Sequence, residues 1–281
     1  MNEVKEEFEL PTEITAATLL PPRDLVIISI PKAGKGTILG KFTEQYNALV
    51  LDLEKGGYDY ISARKISTYT GQETTRWEAF QNYIKYRKML LENKGKYEYL
   101  IIDGLSDLDD LSEIGGTLAY MNSNIGKNFN HEKLANGNYN PTPYEFNDPK
   151  FQSVLTLPEG YGYQHTRTWF MQQVEMIKQI APYRLWAAHL ADKYIKDNGK
   201  EQVIGSEVAL TGQLKRIFAS KVTTMAKLVV DGGERWLNFD VQNDSIVAGS
   251  RAPFLEGKML ISSKGADGSI ETFWDKIYKQ K

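Results

Sequence analysis

Short apolar runs that alternate with longer amphipathic stretches organise this chain. Four runs have the length and the aliphatic composition of buried β-strands: residues 25–29, 48–54, 97–103 and 183–189. Three stretches repeat their apolar side chains at about 3.6 positions, which is the helical spacing: residues 35–46, 74–93 and 161–179. Strands that alternate with helices in this way predict an α/β fold.

The second half of the chain carries shorter signals. Asp197-Asn198-Gly199 stands between two short runs and predicts a β-hairpin. We also predict strands over 222–230 and 235–241, a short basic helix over 210–218, a hairpin over 259–275 and a closing helix over 270–279. The predicted division is a lead-in over 1–23, one domain over 24–260 with an irregular insertion at 114–160, and a terminal hairpin or helix over 261–281.

Composition narrows the classes of function. Of the 281 residues, 41% are hydrophobic and 25% are charged, as in ordinary globular proteins. No apolar run approaches the ~18 residues of a membrane helix, and the acidic, polar start of the chain is not a secretory signal. The absence of cysteine excludes disulfides and thiolate metal sites and fits a cytoplasmic location. Because the net charge is only −2, contacts with DNA would have to come from local loops.

The strongest chemical signal is the stretch from Ser29 to Thr37, which joins the first predicted strand to the first predicted helix. The backbone N–H groups of such a turn and of the helix N-terminus point at one place and favour an anion there. Gly34 lets the backbone approach a phosphate, Lys35 supplies positive charge to the β- and γ-phosphates, and Thr37 offers a hydroxyl to Mg²⁺. The stretch departs twice from the phosphate-loop pattern G-x-x-x-x-G-K-[ST], because Ser29 replaces the first glycine and Gly36 fills the hydroxyl position.

Carboxylates end the next two predicted strands. Asp52 and Glu54 lie on the same side of their strand, because side chains two positions apart point the same way. They are either a solvated strand end or a pair in which one carboxylate positions and deprotonates the water that attacks a γ-phosphate. Asp103 ends the strand over 97–103 in the Walker-B arrangement and is expected to hold Mg²⁺, directly or through water.

Two further regions allow more than one interpretation. His189 ends the strand over 183–189, where an imidazole either reaches a γ-phosphate or serves as a structural hydrogen-bonding group. In the segment 114–160, Gly115-Gly116 and several prolines mark turns. Aromatic side chains interleaved with lysines in this segment either stack on single-stranded bases or form an ordered cap or an oligomer contact. These aromatics are Tyr139, Tyr144, Phe146 and Phe151.

Seven short motifs occur in one order between about residues 24 and 260. They are Pro31-Lys32-Ala33-Gly34-Lys35-Gly36-Thr37, Asp52-Leu53-Glu54-Lys55-Gly56-Gly57, Leu100-Ile101-Ile102-Asp103, Gly160-Tyr161-Gly162-Tyr163, Ala188-His189, Leu210-Thr211-Gly212-Gln213-Leu214 and Gly249-Ser250-Arg251. In these motifs the chain resembles the RecA-like P-loop ATPases, especially phage-encoded nucleotide-binding proteins of single-strand annealing and recombination. The resemblance implies a RecA-like domain with a mainly parallel central sheet flanked by helices, and a nucleotide at the C-terminal edge of that sheet.

The resemblance also implies ligands and residue roles. ATP and Mg²⁺ are the expected ligands, with Thr37 and Asp103 as the metal-binding residues. Nucleotide binding is implied for Pro31, Lys32, Ala33, Gly34, Lys35, Gly36, Thr37 and Arg251. Catalysis is implied for Lys35, Glu54, Asp103 and His189. Among these, Glu54 matches the catalytic carboxylate of RecA-type proteins and His189 matches a polar sensor of the γ-phosphate.

Partners follow from the same resemblance. The predicted hairpin after His189 falls where RecA-like proteins carry a DNA-contacting loop. Single-stranded DNA, a single-strand-binding protein and further copies of the chain are therefore the expected partners, without a membrane. In such an oligomer, Lys215, Arg216 or Arg251 would complete the site of a neighbouring subunit. For a phage-encoded chain the expected compartment is the host cytoplasm.

The loop and the strand-end carboxylates predict a Mg²⁺-dependent ATPase, and the resemblance implies that it acts on single-stranded DNA in phage recombination, annealing or replication. Nucleoside monophosphate kinases are one alternative, because they also use G-K-G-T loops. Such kinases need several arginines around two phosphate groups, and Asp103-Gly104 here is followed by Leu105-Ser106 and no arginine. A nucleotide-gated assembly protein with little hydrolysis is the other alternative, because Ser29 and Gly36 depart from the phosphate-loop pattern.

Overall fold

The computed structural model describes residues 20–197, 200–240 and 248–278. The strands are β1 (Asp24–Ser29), β2 (Ala48–Asp52), β3 (Lys65–Ser67), β4 (Tyr99–Asp103), β5 (His131–Lys133), β6 (Tyr139–Pro143), β7 (Tyr183–Asp197), β8 (Lys200–Val208), β9 (Thr224–Asp231), β10 (Glu234–Asn238), β11 (Gly249–Ser250), β12 (Lys258–Lys264) and β13 (Ile270–Thr272). The α-helices are α1 (Lys35–Gln45), α2 (Arg76–Glu92), α3 (Leu105–Met121), α4 (Tyr161–Ile177) and α5 (Leu214–Lys221). Short 3₁₀ turns occupy Val154–Thr156, Pro158–Gly160 and Trp274–Lys276.

The central sheet confirms the prediction of an α/β fold with mainly parallel strands. Across the described residues its strands lie in the order β3-β2-β4-β7-β1-β9-β10-β12-β13. The pairs from β3 to β9 are parallel. The pairs from β9 to β13 are antiparallel and form one side of the sheet. β8 continues from β7 as the predicted hairpin, whose turn residues 198–199 lie outside the described residues.

Helices cover both faces of the sheet, which explains why its central strands are uninterrupted apolar runs. Alternate side chains of β1 point to opposite faces, so that Val26 and Ile28 pack with α2, α3, α4 and α5, whereas Leu25 and Ile27 pack with α1. On the face that α1 covers, the end of the described chain also packs against the sheet, and its Trp274 and Tyr278 are fully buried there. The segment after residue 260 therefore contributes Ile261, Trp274, Ile277 and Tyr278 to the same core as β1 and α1.

A buried ion pair joins β1 to β7 at the start of both strands. Asp24 lies opposite Arg184 in the parallel register, and both residues are more than nine-tenths buried. The Arg184 guanidinium donates from Nε to Asp24 Oδ1 (2.9 Å) and from Nη2 to Oδ2 (2.8 Å), and Trp186 donates to Oδ1 (3.1 Å). The pair aligns β1, which leads into the loop before α1, with β7, which carries His189.

Replacing Asp24 with alanine is expected to destabilise the fold by about 3–5 kcal/mol, because Arg184 would keep its charge in the interior without a counterion. Chemical denaturation of the two proteins measures this difference. The matched control is Lys88→Ala, which breaks the exposed Lys88–Glu92 pair on α2 and should cost less than about 0.5 kcal/mol. A cost below about 1 kcal/mol for Asp24→Ala would contradict the role given to this pair.

Two predicted segments differ from the structure. Residues 114–121 of the predicted irregular insertion are helical, because α3 runs to Met121. Gly115-Gly116 is not a turn but a site of close helix packing, since a Cβ on Gly115 would lie 2.1 Å from the Trp169 ring of α4. The closing helix expected over 270–279 is also absent from the described part of that segment, where β13 and a 3₁₀ turn stand instead. Pairing of β13 with β12 holds this segment in the sheet.

Other predicted elements agree in type, with shifted ends. The basic helix expected over 210–218 is α5, which begins and ends later. The strand β3 was not predicted, because Lys65–Ser67 has no apolar run. Most of the predicted lead-in (residues 1–19) lies outside the described residues. Across the part of the chain that the structure describes, no helix is both long and apolar enough to span a bilayer.

Candidate functional site

The loop between β1 and α1 leads into a helix N-terminus that has no side-chain cap among the described residues. Gly34 takes the N-cap position with φ +85°, and Lys32 also has a positive φ of 65°. No acidic residue lies in the first turn of α1, and within the described residues no side chain caps its N–H groups. These donors are therefore directed at the loop, where an anion is the complementary ligand.

The register of the sheet brings the predicted polar residues to the same edge. Asp52 pairs with Asp103, Asp103 pairs with Ala187, and Ser29 pairs with His189. All these strands are parallel, so their carboxyl ends meet beside the loop that follows β1. The convergence expected from the strand ends is thus present in the structure.

Four predicted residues are in direct contact at this edge. Lys35 Nζ lies 3.4 Å from Glu54 Oε1 and 3.5 Å from Asp103 Oδ1. His189 donates from Nε2 to the same Glu54 oxygen at 2.9 Å. Lys35 and Asp103 are almost fully buried, whereas Glu54 and His189 keep about a quarter of their side-chain surface exposed (26% and 29%). A buried cation beside a partly exposed carboxylate is an arrangement suited to phosphate chemistry in a cleft.

The pKa values of the two carboxylates move in opposite directions. Burial alone would raise the pKa of Glu54, but the hydrogen bond from His189 and the charge of Lys35 outweigh it and lower the pKa below its ordinary value. Burial raises the pKa of Asp103, although Lys35 and Tyr58 both favour its charged form. Glu54 is therefore ionised at neutral pH and able to accept a proton.

The Asp103 carboxylate fits the coordination chemistry of Mg²⁺. Its Oδ1 atom is buried and has no hydrogen-bond partner among the described residues, although Lys35 Nζ lies nearby. A hard divalent cation takes carboxylate oxygens as ligands and would satisfy this atom. The donor set is thus compatible with the metal that the sequence predicts.

Comparison with known proteins identifies the family. A family model described as an AAA domain matches residues 22–252. The chain belongs to the AAA domain family. The match covers most of the described chain and makes it a nucleotide-binding domain of the P-loop type. A search of curated proteins finds no match.

Solved structures similar to this AAA domain share little sequence with it. An ATPase from the type III secretion system of pathogenic bacteria is 11% identical, with a TM-score of 0.37, over 74% of this chain and 52% of that chain. The chain thus spans about half the length of that ATPase. The flagellar accessory protein FlaH from Methanocaldococcus jannaschii is 8% identical, with a TM-score of 0.38, over 90% of this chain and 92% of that chain.

Asp52 has a different environment from Glu54, the carboxylate to which the resemblance assigns catalysis. Ser67 of β3 donates to Asp52 Oδ2 at 2.7 Å, and the backbone N–H of Glu54 donates to Oδ1 at 3.2 Å. Burial raises the pKa of Asp52 to about 6. Asp52 therefore holds the turn after β2, whereas Glu54 is the carboxylate that contacts Lys35.

Arg235 and Asp107 are two neighbours of the site that sequence reasoning did not assign to it. Arg235 of β10 donates from Nε to the carbonyl of Ala33 at 3.1 Å and lies across the phosphate loop. Asp107, in the first turn of α3, has its pKa raised to about 7 by burial and by the nearby Glu54 charge. Neither residue belongs to a sequence motif, so only the fold brings them here.

Gly34→Ala is expected to distort the loop of this AAA domain. A Cβ at residue 34 would lie 2.4 Å from Arg235 Nε, and φ +85° is disfavoured for any side chain. We expect nucleotide affinity to fall at least tenfold, with a stability loss of about 1–3 kcal/mol. Equilibrium binding and thermal melting measure the two effects. In the matched control, Gly71→Ala, the added Cβ meets no atom within 4 Å, so that variant should bind nucleotide as the wild type does.

Thr37, whose hydroxyl the sequence offers to Mg²⁺, lies one position after Gly36 on α1. Gly36 faces Asp103, because a Cβ there would lie 3.9 Å from Asp103 Oδ2. Thr37 follows it on α1, so its side chain is rotated by about 100° around the helix axis. Residues 36 and 37 therefore direct their side chains differently, and the metal-binding role of Thr37 stays a prediction.

Arg251 is not brought to the phosphate loop of the same chain. The strand β11 pairs with the first residues of β9, and the Arg251 N–H donates to Thr223 at that end. This is the amino-terminal edge of the parallel strands, opposite the edge where β1 ends. Lys215 of α5 pairs with Glu207. A contribution of Lys215, Arg216 or Arg251 to a neighbouring subunit stays a prediction.

Part of the aromatic cluster in the segment 114–160 serves as a cap over α2. Phe146 stacks on Trp77 of α2 (ring centroids 5.3 Å apart), and Phe151 packs beside Phe146 at the same distance. Tyr139 remains 42% exposed. Of the two interpretations that the sequence left open, the ordered cap accounts for Phe146 and Phe151.

Proposed function

We propose that this AAA domain is a Mg²⁺-dependent, RecA-like ATPase that hydrolyses ATP to ADP and phosphate. The observation that carries the proposal is the contact of Lys35 with both Glu54 and Asp103 at the edge where the uncapped α1 N-terminus lies. Such a site joins an anion-binding loop to a cation and a proton acceptor, which are the parts that phosphoryl transfer to water requires.

Each residue of the site has its own role in the proposed hydrolysis of ATP. The loop N–H groups and Lys35 bind the β- and γ-phosphates and offset their charge. His189 and Lys35 occupy Oε1 of Glu54, so Oε2 is the oxygen available to a water molecule. Glu54 accepts a proton as that water attacks the γ-phosphorus, and the bond to the β–γ bridging oxygen breaks to release ADP.

Asp103 is the residue that would hold Mg²⁺, because its buried Oδ1 atom has no hydrogen bond within the described residues. When bound, the ion neutralises charge on the β- and γ-phosphates. His189 is proposed as a sensor of the γ-phosphate, since its ring joins Glu54 to the long strand β7.

Single-stranded DNA is the proposed effector, with other copies of the chain and a single-strand-binding protein as partners in phage recombination, annealing or replication. The support is a structural connection. β7 carries His189 and continues without a break to Asp197, in the hairpin with β8. A ligand on this hairpin therefore contacts the same strand that orients Glu54. The proposal rests on this continuity and on the motif resemblance described above.

ATP turnover measured with and without single-stranded DNA tests the proposed function, and a coupled assay of phosphate release is sufficient. We expect Mg²⁺-dependent turnover that DNA stimulates and that Lys35→Ala abolishes. Turnover that ignores DNA and survives Lys35→Ala would overturn the proposal. Transfer of phosphate to AMP or another nucleoside monophosphate would indicate a kinase. Nucleotide binding without turnover would indicate a nucleotide-gated assembly protein.

A further inference from the structure

The phosphate loop of this chain lacks the hydroxyl side chain that normally follows its lysine, and the structure shows where that side chain would point. Gly36 takes this position, and a Cβ built on it lies 3.9 Å from Asp103 Oδ2. A hydroxyl on that carbon would be one bond length closer and within reach of the carboxylate. The missing group is therefore a hydroxyl directed at Asp103.

Another hydroxyl already binds the same oxygen of Asp103. Tyr58 donates from its phenol oxygen to Asp103 Oδ2 at 2.8 Å, and its ring is only 2% exposed. Asp103 is thus held through Oδ2, and its Oδ1 atom remains without a hydrogen bond in the described structure.

The absence of a side chain at Gly36 and the presence of Tyr58 are linked by packing. The turn that carries Tyr58 lies against α1, where the Gly36 Cβ position is 3.1 Å from Ile61 Cδ1 and 3.8 Å from the carbonyl of Gly57. A small side chain at position 36 would displace only the flexible end of Ile61. Gly36 and the segment that delivers the phenol are therefore direct neighbours.

We propose that Tyr58 is a positioning residue for the Mg²⁺ site and supplies, from the turn after β2, the hydroxyl that Gly36 lacks. It acts through Asp103, whose Oδ2 atom it holds so that Oδ1 is presented to the metal. This inference rests on the proposed Mg²⁺–nucleotide binding. It goes further because it explains the missing hydroxyl at position 36. Tyr58 takes over the role of that hydroxyl, so that Mg²⁺ binding is kept.

The test is a Mg²⁺ titration of nucleotide binding, with a fluorescent ADP analogue as the probe, compared between the wild type and Tyr58→Phe. Removing the hydroxyl should raise the Mg²⁺ concentration for half-maximal binding about tenfold, the usual cost of losing a partner that orients a metal ligand. Binding in the presence of EDTA should not change. Tyr46→Phe is the matched control, because it removes another buried phenol donor (2.6 Å to the Tyr278 carbonyl) from the same core.

A second variant separates a positioning role from a general loss of packing. Gly36→Ser in the Tyr58→Phe background should lower the Mg²⁺ requirement again, because the serine hydroxyl points at Asp103 and only the flexible end of Ile61 has to move. Equal Mg²⁺ dependence of wild type and folded Tyr58→Phe overturns this inference alone. Failure of the wild type to bind nucleotide with Mg²⁺ overturns both it and the proposed function. A shift in Tyr46→Phe equal to that in Tyr58→Phe also overturns it.

Discussion

Replacing Glu54 with glutamine is expected to lower ATP turnover at saturating nucleotide by about a thousandfold, the range for loss of a general base. Glutamine keeps the size of the side chain and can still accept a hydrogen bond from His189, but it cannot take a proton from water. Because Glu54 contacts Lys35 and is not a proposed metal ligand, nucleotide affinity should change by less than about fivefold. Single-turnover hydrolysis and equilibrium binding measure the two effects separately.

Asp52→Asn is the matched control for this prediction. Asp52 lies two residues away, at the end of the same strand, but it is tied to Ser67 and to the backbone of Glu54 instead of to Lys35. Its replacement should reduce turnover by less than about threefold, which corresponds to about 0.7 kcal/mol. If Asp52→Asn reduces turnover as strongly as Glu54→Gln does, or if Glu54→Gln retains most of the activity, the assignment of Glu54 as the base is wrong.

The residues that sequence reasoning placed together have one property in common. Lys35 and Glu54 follow β1 and β2, Asp103 ends β4, and His189 ends the apolar run of β7 beside the end of β1. Parallel pairing brings these positions to one edge of the sheet. The position of these residues can be predicted from the order of the apolar runs along the chain, without knowledge of contacts between distant segments. The fold class could be predicted for the same reason, since buried runs and helical periods are local.

The residues that escaped prediction reach the site through tertiary packing. Tyr58 lies in a turn after Gly56-Gly57, and nothing in its neighbouring sequence indicates that its hydroxyl meets Asp103 from the next strand in the sheet. Arg235 lies on a strand two positions away from β1 in the sheet and about two hundred residues later in the chain. Side-chain direction and strand order, which sequence periodicity does not contain, decide both contacts.

Tertiary contacts also explain the two wrong predictions of secondary structure, over residues 114–121 and at the end of the chain. Gly115-Gly116 resembles a turn signal, yet the glycines lie inside α3 because Trp169 and the backbone of α4 pack on them. Near the terminus, Trp274 is fully buried against α1, and pairing of β13 with β12 overrides the helical pattern. In both places tertiary contacts outweigh a weak local preference.

Replacing Lys35 with alanine is expected to have the largest effect on binding. The ammonium is almost fully buried between Glu54 and Asp103 and would contact the phosphates from inside the loop. Loss of a charged hydrogen-bonding group should weaken nucleotide binding about 10- to 100-fold, and turnover should fall about a thousandfold because charge on the transferring phosphate is no longer offset. Isothermal calorimetry and phosphate release measure these effects.

The control for Lys35→Ala is Lys41→Ala on the same helix. Lys41 pairs with Glu44 on the exposed side of α1, so its removal changes the net charge equally and should leave binding and turnover unchanged. A thermal melt checks that Lys35→Ala is folded, because the variant leaves Glu54 and Asp103 next to each other without their shared cation. Folded Lys35→Ala protein with wild-type affinity would contradict the phosphate-binding role of this loop. Affinity lost equally in Lys41→Ala would instead indicate that only the overall charge of α1 matters, which the burial of Lys35 argues against.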